Sequence, residues 1–256
     1  MDNLKQVLEK EVELRNCKNE LCLEKPDPLF IAKEFNDEYI ALVCALFGYG
    51  NAHVIVRFLG SLDFSLLGQN EKIISKELKG FYYRFQNTND VISFFIALKR
   101  LKEKESLEDI FLSGYKEQHC VLEGIDKIIH GVSEELENYS EGLRFLVGTP
   151  IKRDRNKKIK LAGNGAYKRY NMFLRWMVRE DCLDMGLWKK VAKKDLVIPL
   201  DTHTFKVSQK LGLLKRKTYD LKAAIMLTEK LKEFDSNDPV KYDFALYRLG
   251  QERIVI

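Results

Sequence analysis

The chain has 256 residues, 45% of them hydrophobic, and carries 43 Lys and Arg against 38 Asp and Glu, a net charge of +5. That length and apolar content suffice to bury a substantial core and exclude an intrinsically disordered chain. No stretch approaches the ~20 apolar residues that span a bilayer, and the charged start MDNLKQVLEKEVELRN lacks the apolar core of a secretory signal, so a cytoplasmic protein without membrane contact is expected.

Residues 1–24 read as a charged amphipathic helix closed by Pro26 and Pro28. Asp37–Phe47 (DEYIALVCALF) is apolar nearly all round, which predicts a helix at the centre of the core. Gly48-Tyr49-Gly50-Asn51 interrupts that run and an apolar helix follows over Ala52–Leu59, so two buried helices meet at a glycine-flanked corner. Further helices are predicted over Glu71–Tyr83, Thr88–Glu103 with Asn89 or Asp90 as N-cap, Leu107–His119, Val121–His130 and Ser133–Val147. Nothing in this half alternates as a strand would.

Gly148-Thr149-Pro150, followed by IKRDRNKKIK with six basic residues against one acid, makes the most visible break. The pattern predicts an all-α protein of one unit over 1–256. A soft lobe boundary falls near 131–142, and 143–250 holds the most strongly punctuated segments. Near the end, Asp238-Pro239 reads as an N-cap with a proline at the first helical position and Gly250 as a C-cap, giving a helix of about three turns over Pro239–Leu249.

The segment between these breaks carries the candidate chemistry. Lys168 opens the helix KRYNMFLRWMVR, and thirty-three residues later Asp201, in Ile-Pro-Leu-Asp-Thr-His-Thr, opens the next. At about 100° per residue, Lys168, Asn171, Arg175 and Arg179 fall within an arc of roughly 80°, opposite Tyr170, Phe173, Leu174 and Met177. The helix therefore predicts a cationic face and a core face. Asp201 has two readings, a residue that caps a helix or a fixed carboxylate that stabilises positive charge on a sugar ring as a base departs. In the second, Lys168 supplies an amine able to attack C1′ and form a Schiff base. Five cysteines without C-x-x-C spacing and four histidines that do not cluster predict no metal site, and no cofactor is expected.

These residues resemble the helix-hairpin-helix DNA glycosylase superfamily, in which a glycine-containing hairpin precedes, in bifunctional members, a catalytic lysine opening a helix and then a Pro-φ-Asp stretch. The matching stretches are Gly163-Asn164-Gly165-Ala166-Tyr167-Lys168 and Pro199-Leu200-Asp201-Thr202-His203. Ala162 stands where those hairpins carry proline, and Tyr167 adds a residue before the lysine. KRYNMFLRWMVR, IPLDTHTFKVSQKLGLL and DPVKYDFALYRLG look like a bacterial family within that superfamily, and the long Lys168 to Asp201 spacing is similar to the archaeal 8-oxoguanine glycosylase branch.

The resemblance implies two helical lobes with a cleft between them, and a monomeric, nucleoid-associated DNA repair enzyme. It would remove an oxidised purine, 8-oxoguanine first, from double-stranded DNA and nick the abasic strand. Lys168 and Asp201 would be catalytic, and Asp243 with Tyr247 would line the base pocket. Gly163 and Gly165 would meet phosphate through backbone N–H groups, helped by Lys152, Arg153, Arg155, Lys157, Lys158, Arg175 and Arg179. Tyr49 and Asn51, at the glycine-flanked corner, would fill the gap left by the extruded nucleotide. Two other readings stay open, a helix-hairpin-helix module that binds DNA without cutting a bond and a helical interaction protein with no nucleic-acid role.

Overall fold

The computed structural model describes residues 2–22 and 24–252, and among them the regular structure is helical: thirteen α-helices and four short 3-10 turns, with isolated bridges in place of strands. The all-α expectation holds. The chain divides into two compact units, Ile31–Ile151 and a second that joins Met1–Phe30 to Lys152–Ile256. The first helices are α1 (Asp2–Arg15) and α2 (Pro28–Phe35), and the division falls within α2. The helix expected over 1–24 stops at Arg15; positions 1 and 23 lie outside the described residues.

The later division comes after Ile151 and not near 131–142. The stretch through 131–151 is tied to its own unit, because Ile151 N–H donates to buried Asp126 at 2.7 Å and the Tyr139 hydroxyl donates to the Gly148 carbonyl. The N-terminal helix joins the C-terminal half by polar contacts no periodicity announces. Arg15 forms a fork with Glu252, both bonds 2.7 Å, Tyr242 Oη donates to Glu9, and Arg248 Nη2 donates to the Glu20 carbonyl at 2.9 Å.

The Ile31–Ile151 unit is built on α3 (Glu38–Leu46), in which every residue from Tyr39 to Leu46 is buried and whose start is capped by Asp37 through the N–H groups of Tyr39 and Ile40. Phe47 beyond it meets the rings of Phe58, on α4 (Ala52–Gly60), and of Tyr83 and Phe94. Next come α5 (Glu71–Glu77), α6 (Thr88–Lys104), α7 (Leu107–Tyr115), α8 (Val121–Glu134) and α9 (Glu141–Val147). α5 stops six residues before the expected Tyr83, and the helix expected over Ser133–Val147 is instead the end of α8 and the separate α9, capped by Ser140. The N-cap of α6 is Asn87, which forms a reciprocal capping box with Asp90. The α7 and α8 backbones approach closely at two glycines: a Cβ on Gly114 would sit 2.4 Å from the Glu123 carbonyl oxygen, and one on Gly124 2.4 Å from the Phe111 ring.

The second unit contains α10 (Lys168–Val178), α11 (Thr202–Lys210), α12 (Leu221–Lys232), a 3-10 turn over Pro239–Tyr242 and α13 (Asp243–Gln251). The segment between α10 and α11 folds back on the end of α10. The N–H groups of Met185 and Trp188 donate to the carbonyls of Trp176 and Met177, at 2.9 and 2.7 Å, and Trp188 packs edge-on against Phe173. Two details of the last helix differ from expectation. Asp238 makes no cap; its carboxylate takes the Arg179 Nε–H instead. Gly250 lies inside α13, where a Cβ would sit 2.8 Å from Val207 and 3.0 Å from the His203 Cβ, so it lets α11 and α13 close on each other.

Candidate active site

Lys168 is the first residue of α10 and is half-buried. Tyr167 before it adopts the left-handed conformation (φ 47°), and Asn171 inside the helix returns a 3.0 Å hydrogen bond from Nδ2 to the Ala166 carbonyl, fastening the chain where it enters the helix. Lys168 Nζ lies 3.3 Å from Met172 Sδ, one turn on. Asp201 is the N-cap of α11 and accepts the Thr204 N–H at 2.7 Å. The strand-like approach to it is anchored on both sides: Ile198 N–H donates to Thr228 Oγ1 at 3.0 Å, and Tyr219 Oη donates to the carbonyl of fully buried Leu200 at 2.6 Å.

Both groups act on one buried carboxyl. Burial pushes Asp243 up to about 6; Arg175 opposes this, the Asp201 charge adds to it, and the Lys168 charge opposes it. The charge of Asp201 is also felt by the phenols of Tyr219 and Tyr247, each pushed up to about 12 mainly by burial. α13 carries Asp243 and Tyr247 one turn apart, and the Tyr247 ring stands edge-on to His203, 6.1 Å between centroids, close to the start of α11. Lys168, Asp201, Asp243 and Tyr247 therefore share one electrostatic neighbourhood on three helices of one unit.

Arg175 and Arg179 require a correction. They do not form an exposed cationic face: both are buried, Arg175 at 4% exposure, and their guanidinium groups are taken up by carboxylates. Arg175 bonds Asp184 at 3.1 Å and Asp243, while Arg179 bonds Asp181 at 2.9 Å, Asp238 at 3.0 Å and Asp184. Buried and paired with carboxylates, these two arginines belong to the frame of the unit and not to an exposed basic face. The helical wheel placed them on one side correctly; what it lacked was the partner, Asp184, supplied by the segment that folds back on α10.

The basic run forms a small ribbon. Arg153 and Ile159 bridge, Lys160 N–H donates to the Lys152 carbonyl at 3.0 Å, and the Asp154 carboxylate accepts from the N–H groups of Asn156 and Lys158 in the turn. Lys152, Arg155, Lys157 and Lys158 are exposed on it, and Arg153 is half-buried with Nη1 on the Lys157 carbonyl. Buried Asn164 holds the base of the ribbon: Nδ2 donates to the carbonyls of Lys152 and Lys160, and Oδ1 accepts the Lys152 N–H. Gly163 (φ 86°) and Gly165 flank it, exposed, with nothing within 4 Å of the Cβ position of either.

Of the residues expected to fill a gap in a duplex, Asn51 is exposed and caps α4 through the N–H groups of His53 and Val54. Tyr49 is half-buried, its hydroxyl directed to the Gln86 side chain. Both lie in the Ile31–Ile151 unit. Among the described residues no group of three or more His, Cys, Asp or Glu side chains is placed to hold a metal ion, and no helix is long and apolar enough to cross a membrane.

A model of the family described as "Protein of unknown function (DUF2400)" matches residues 27–252. No curated protein and no solved structure matches the chain.

Proposed function

The chain belongs to this family, and from the site on α10, α11 and α13 we propose that it is a DNA repair glycosylase with attached lyase activity, acting on an oxidised purine. The observation that carries the proposal is that Lys168 and Asp201, thirty-three residues apart in the chain, each stand at the start of a helix in the unit whose α13 carries the buried Asp243.

In this mechanism the extruded nucleotide places its C1′ beside Lys168. The glycosidic bond breaks with its electron pair leaving on the base, and the cationic sugar that develops is stabilised by the fixed Asp201 carboxylate more than the neutral ground state is. Lys168 forms the new bond to C1′ through its nitrogen lone pair, once its proton has passed to the departing base. The C1′–O4′ bond then opens with O4′ taking a proton from water and leaves an iminium; a C2′ proton passes to water and the C3′–oxygen bond breaks, its electron pair leaving with the phosphate end of the strand. Asp243 and Tyr247 face the departing base, with the Asp243 carboxylate accepting from its N–H groups and the arginine behind it holding the oxygen in place. The exposed ribbon of Lys152, Arg155, Lys157 and Lys158 meets the phosphates.

Borohydride reduction tests the assignment. The wild-type protein should be trapped covalently on a duplex carrying 8-oxoguanine, and Lys168→Gln should abolish trapping while leaving binding nearly intact. A trapped Lys168→Gln protein sinks the role given to this lysine. The Asp201 cap bond to Thr204 favours a second reading, a module that binds DNA without cutting it, since that bond alone explains the aspartate. Salt-sensitive DNA binding, with no base released from any of a panel of damaged duplexes, would select it.

A further inference from the structure

The Ile31–Ile151 unit carries large aromatic side chains with much of their surface in solvent. Phe85 is 58% exposed, Tyr82 73% and Phe145 44%. Phe85 and Phe145 are clustered. The rings of Tyr49, Phe85 and Phe145 form a triangle, Phe85 to Phe145 at 4.8 Å, Tyr49 to Phe145 at 4.9 Å and Tyr49 parallel to Phe85 within 5° at 6.1 Å. The Arg84 guanidinium lies beside them, 5.6 Å from the Phe85 ring and 5.8 Å from that of Tyr49.

This cluster is presented by a turn held from below. Tyr83 and Gln86 exchange both backbone hydrogen bonds, at 2.8 and 2.9 Å, leaving Arg84 and Phe85 as the tip. Arg84 adopts the left-handed region (φ 49°), which non-glycine residues seldom occupy. The conformation is maintained by Gln86, 1% exposed, whose Nε2 donates to the Gly142 carbonyl at 2.7 Å and whose Oε1 takes the Tyr49 hydroxyl. Tyr83 beneath the tip donates to the Tyr49 carbonyl at 2.7 Å. Gly50 leaves the space the guanidinium occupies, since a Cβ there would sit 2.7 Å from Arg84 Nη1. A turn strained at an arginine and clamped by a buried glutamine keeps a phenylalanine in water, the opposite of what folding alone favours.

Local charge indicates what covers the rings. The unit carries 13 Lys and Arg against 18 Asp and Glu, yet from Leu78 to Asn89 it holds Lys79 and Arg84 and no acid. The exposed surface of the Phe85 ring, with the Arg84 guanidinium beside it, matches a nucleobase stacked on the ring and its phosphate on the guanidinium. We infer that the Arg84–Phe85 tip, with Phe145 and Tyr49, is a stacking platform for an unpaired base of a nucleic-acid strand. It does not require that any bond in that strand be cut, so it stands apart from the glycosylase reading.

Fluorescence anisotropy with labelled oligonucleotides tests it, using a single strand, a duplex with a one-base bulge and a fully paired duplex of the same length. Phe85→Ala should weaken binding to the single strand and the bulge about ten-fold, the loss expected for one base–aromatic stack, and leave the paired duplex within two-fold. Phe85→Trp should keep or tighten the first two. Circular dichroism of both variants should match the wild type, because Phe85 is mostly in solvent. The inference is overturned if the wild type binds neither the single strand nor the bulge, or if Phe85→Ala binds them as the wild type does; the second outcome reassigns the platform to a protein partner. Borohydride trapping reads bond formation at Lys168 and anisotropy reads stacking at Phe85, so the two ideas fail separately.

Discussion

The two units of this chain solve the same folding problem with different materials. Ile31–Ile151 has a net charge of −5, while Met1–Phe30 with Lys152–Ile256 carries 30 Lys and Arg against 20 Asp and Glu, a net charge of +10. In the first, the buried charged residues are Asp90 and Asp126, each taken up by hydrogen bonds, and α7 and α8 pack closely at Gly114 and Gly124. In the second, basic residues go inside as well. Among the described residues the buried arginines, Arg175, Arg179 and Arg248, all belong to it. Burying ion pairs offers little net stability over an apolar interior of equal volume. Arg175, paired with Asp243 and Asp184, therefore fits a frame that fixes the geometry around Asp243.

The largest effect that would sharpen this contrast is expected at Asp184, which receives both Arg175 and Arg179. Asp184→Asn leaves two buried guanidinium groups short of a counter-charge, which costs on the order of 3–5 kcal/mol. Denaturant unfolding should show that loss. A loss under about 1 kcal/mol, the range of exposed pairs, would mean that water reaches the network and that the distinction between the units is weaker than drawn.

A pH dependence comes next in size and bears on the site itself. Asp243 is pushed up to about 6 by burial, while an unfolded aspartate titrates near 3.9. A carboxyl whose folded value is raised holds its proton more tightly in the folded chain, so its contribution to stability is complete below about pH 4 and is lost as pH rises through about 6. At about 1.4 kcal/mol for each tenfold change in proton affinity, the whole effect is on the order of 2–3 kcal/mol. Asp243→Asn should remove this slope from unfolding measurements between pH 4 and 7. Two further variants test the convergence on Asp243. Asp201→Asn deletes a charge that raises Asp243 and should move the inflection to lower pH, whereas Lys168→Met deletes a charge that lowers it and should move the inflection to higher pH. Shifts in the same direction, or none, would separate the lysine from the aspartate.

Much of this was legible in the residues because it depends on local chemistry. Lys168 and Asp201 both open helices, as the cap pattern and apolar periodicity predict, and α3, α4 and α6 lie within a residue or two of their expected bounds. What depended on distant partners was not. The spacing of Arg175 and Arg179 marks a polar stripe but cannot say whether water or Asp184 faces it. The run Glu71–Tyr83 reads as one helix until Gly80 (φ 91°) and Arg84 (φ 49°) are seen turning the chain out to form the aromatic tip. Asn164, inside a run of glycines and cations, looks like a loop residue, and only the return of the ribbon onto it makes it the clamp. Gly250 resembles a helix stop because glycine is common there, whereas its lack of a side chain serves the contact with His203 and Val207.

The smallest of these effects belongs to the Ile31–Ile151 unit and isolates close packing from charge. Gly124 on α8 faces Phe111 on α7, and a Cβ would come within 2.4 Å of two ring carbons. The ring is fully buried, so it cannot swing into solvent. Gly124→Ala raises helix propensity by about 1 kcal/mol but forces the two helices apart, and overpacking of this kind costs about 1–3 kcal/mol. A net loss of about 1 kcal/mol is therefore expected in denaturant unfolding, with no change in the pH slope assigned to Asp243, which lies in the other unit. Phe111→Leu alone leaves a cavity and also destabilises. Together the two changes should cost less than their sum, because the smaller side chain makes room for the new methyl group, and a coupling above about 0.5 kcal/mol marks residues in direct contact. Strict additivity would mean that the α7 and α8 backbones are not held together at Gly124.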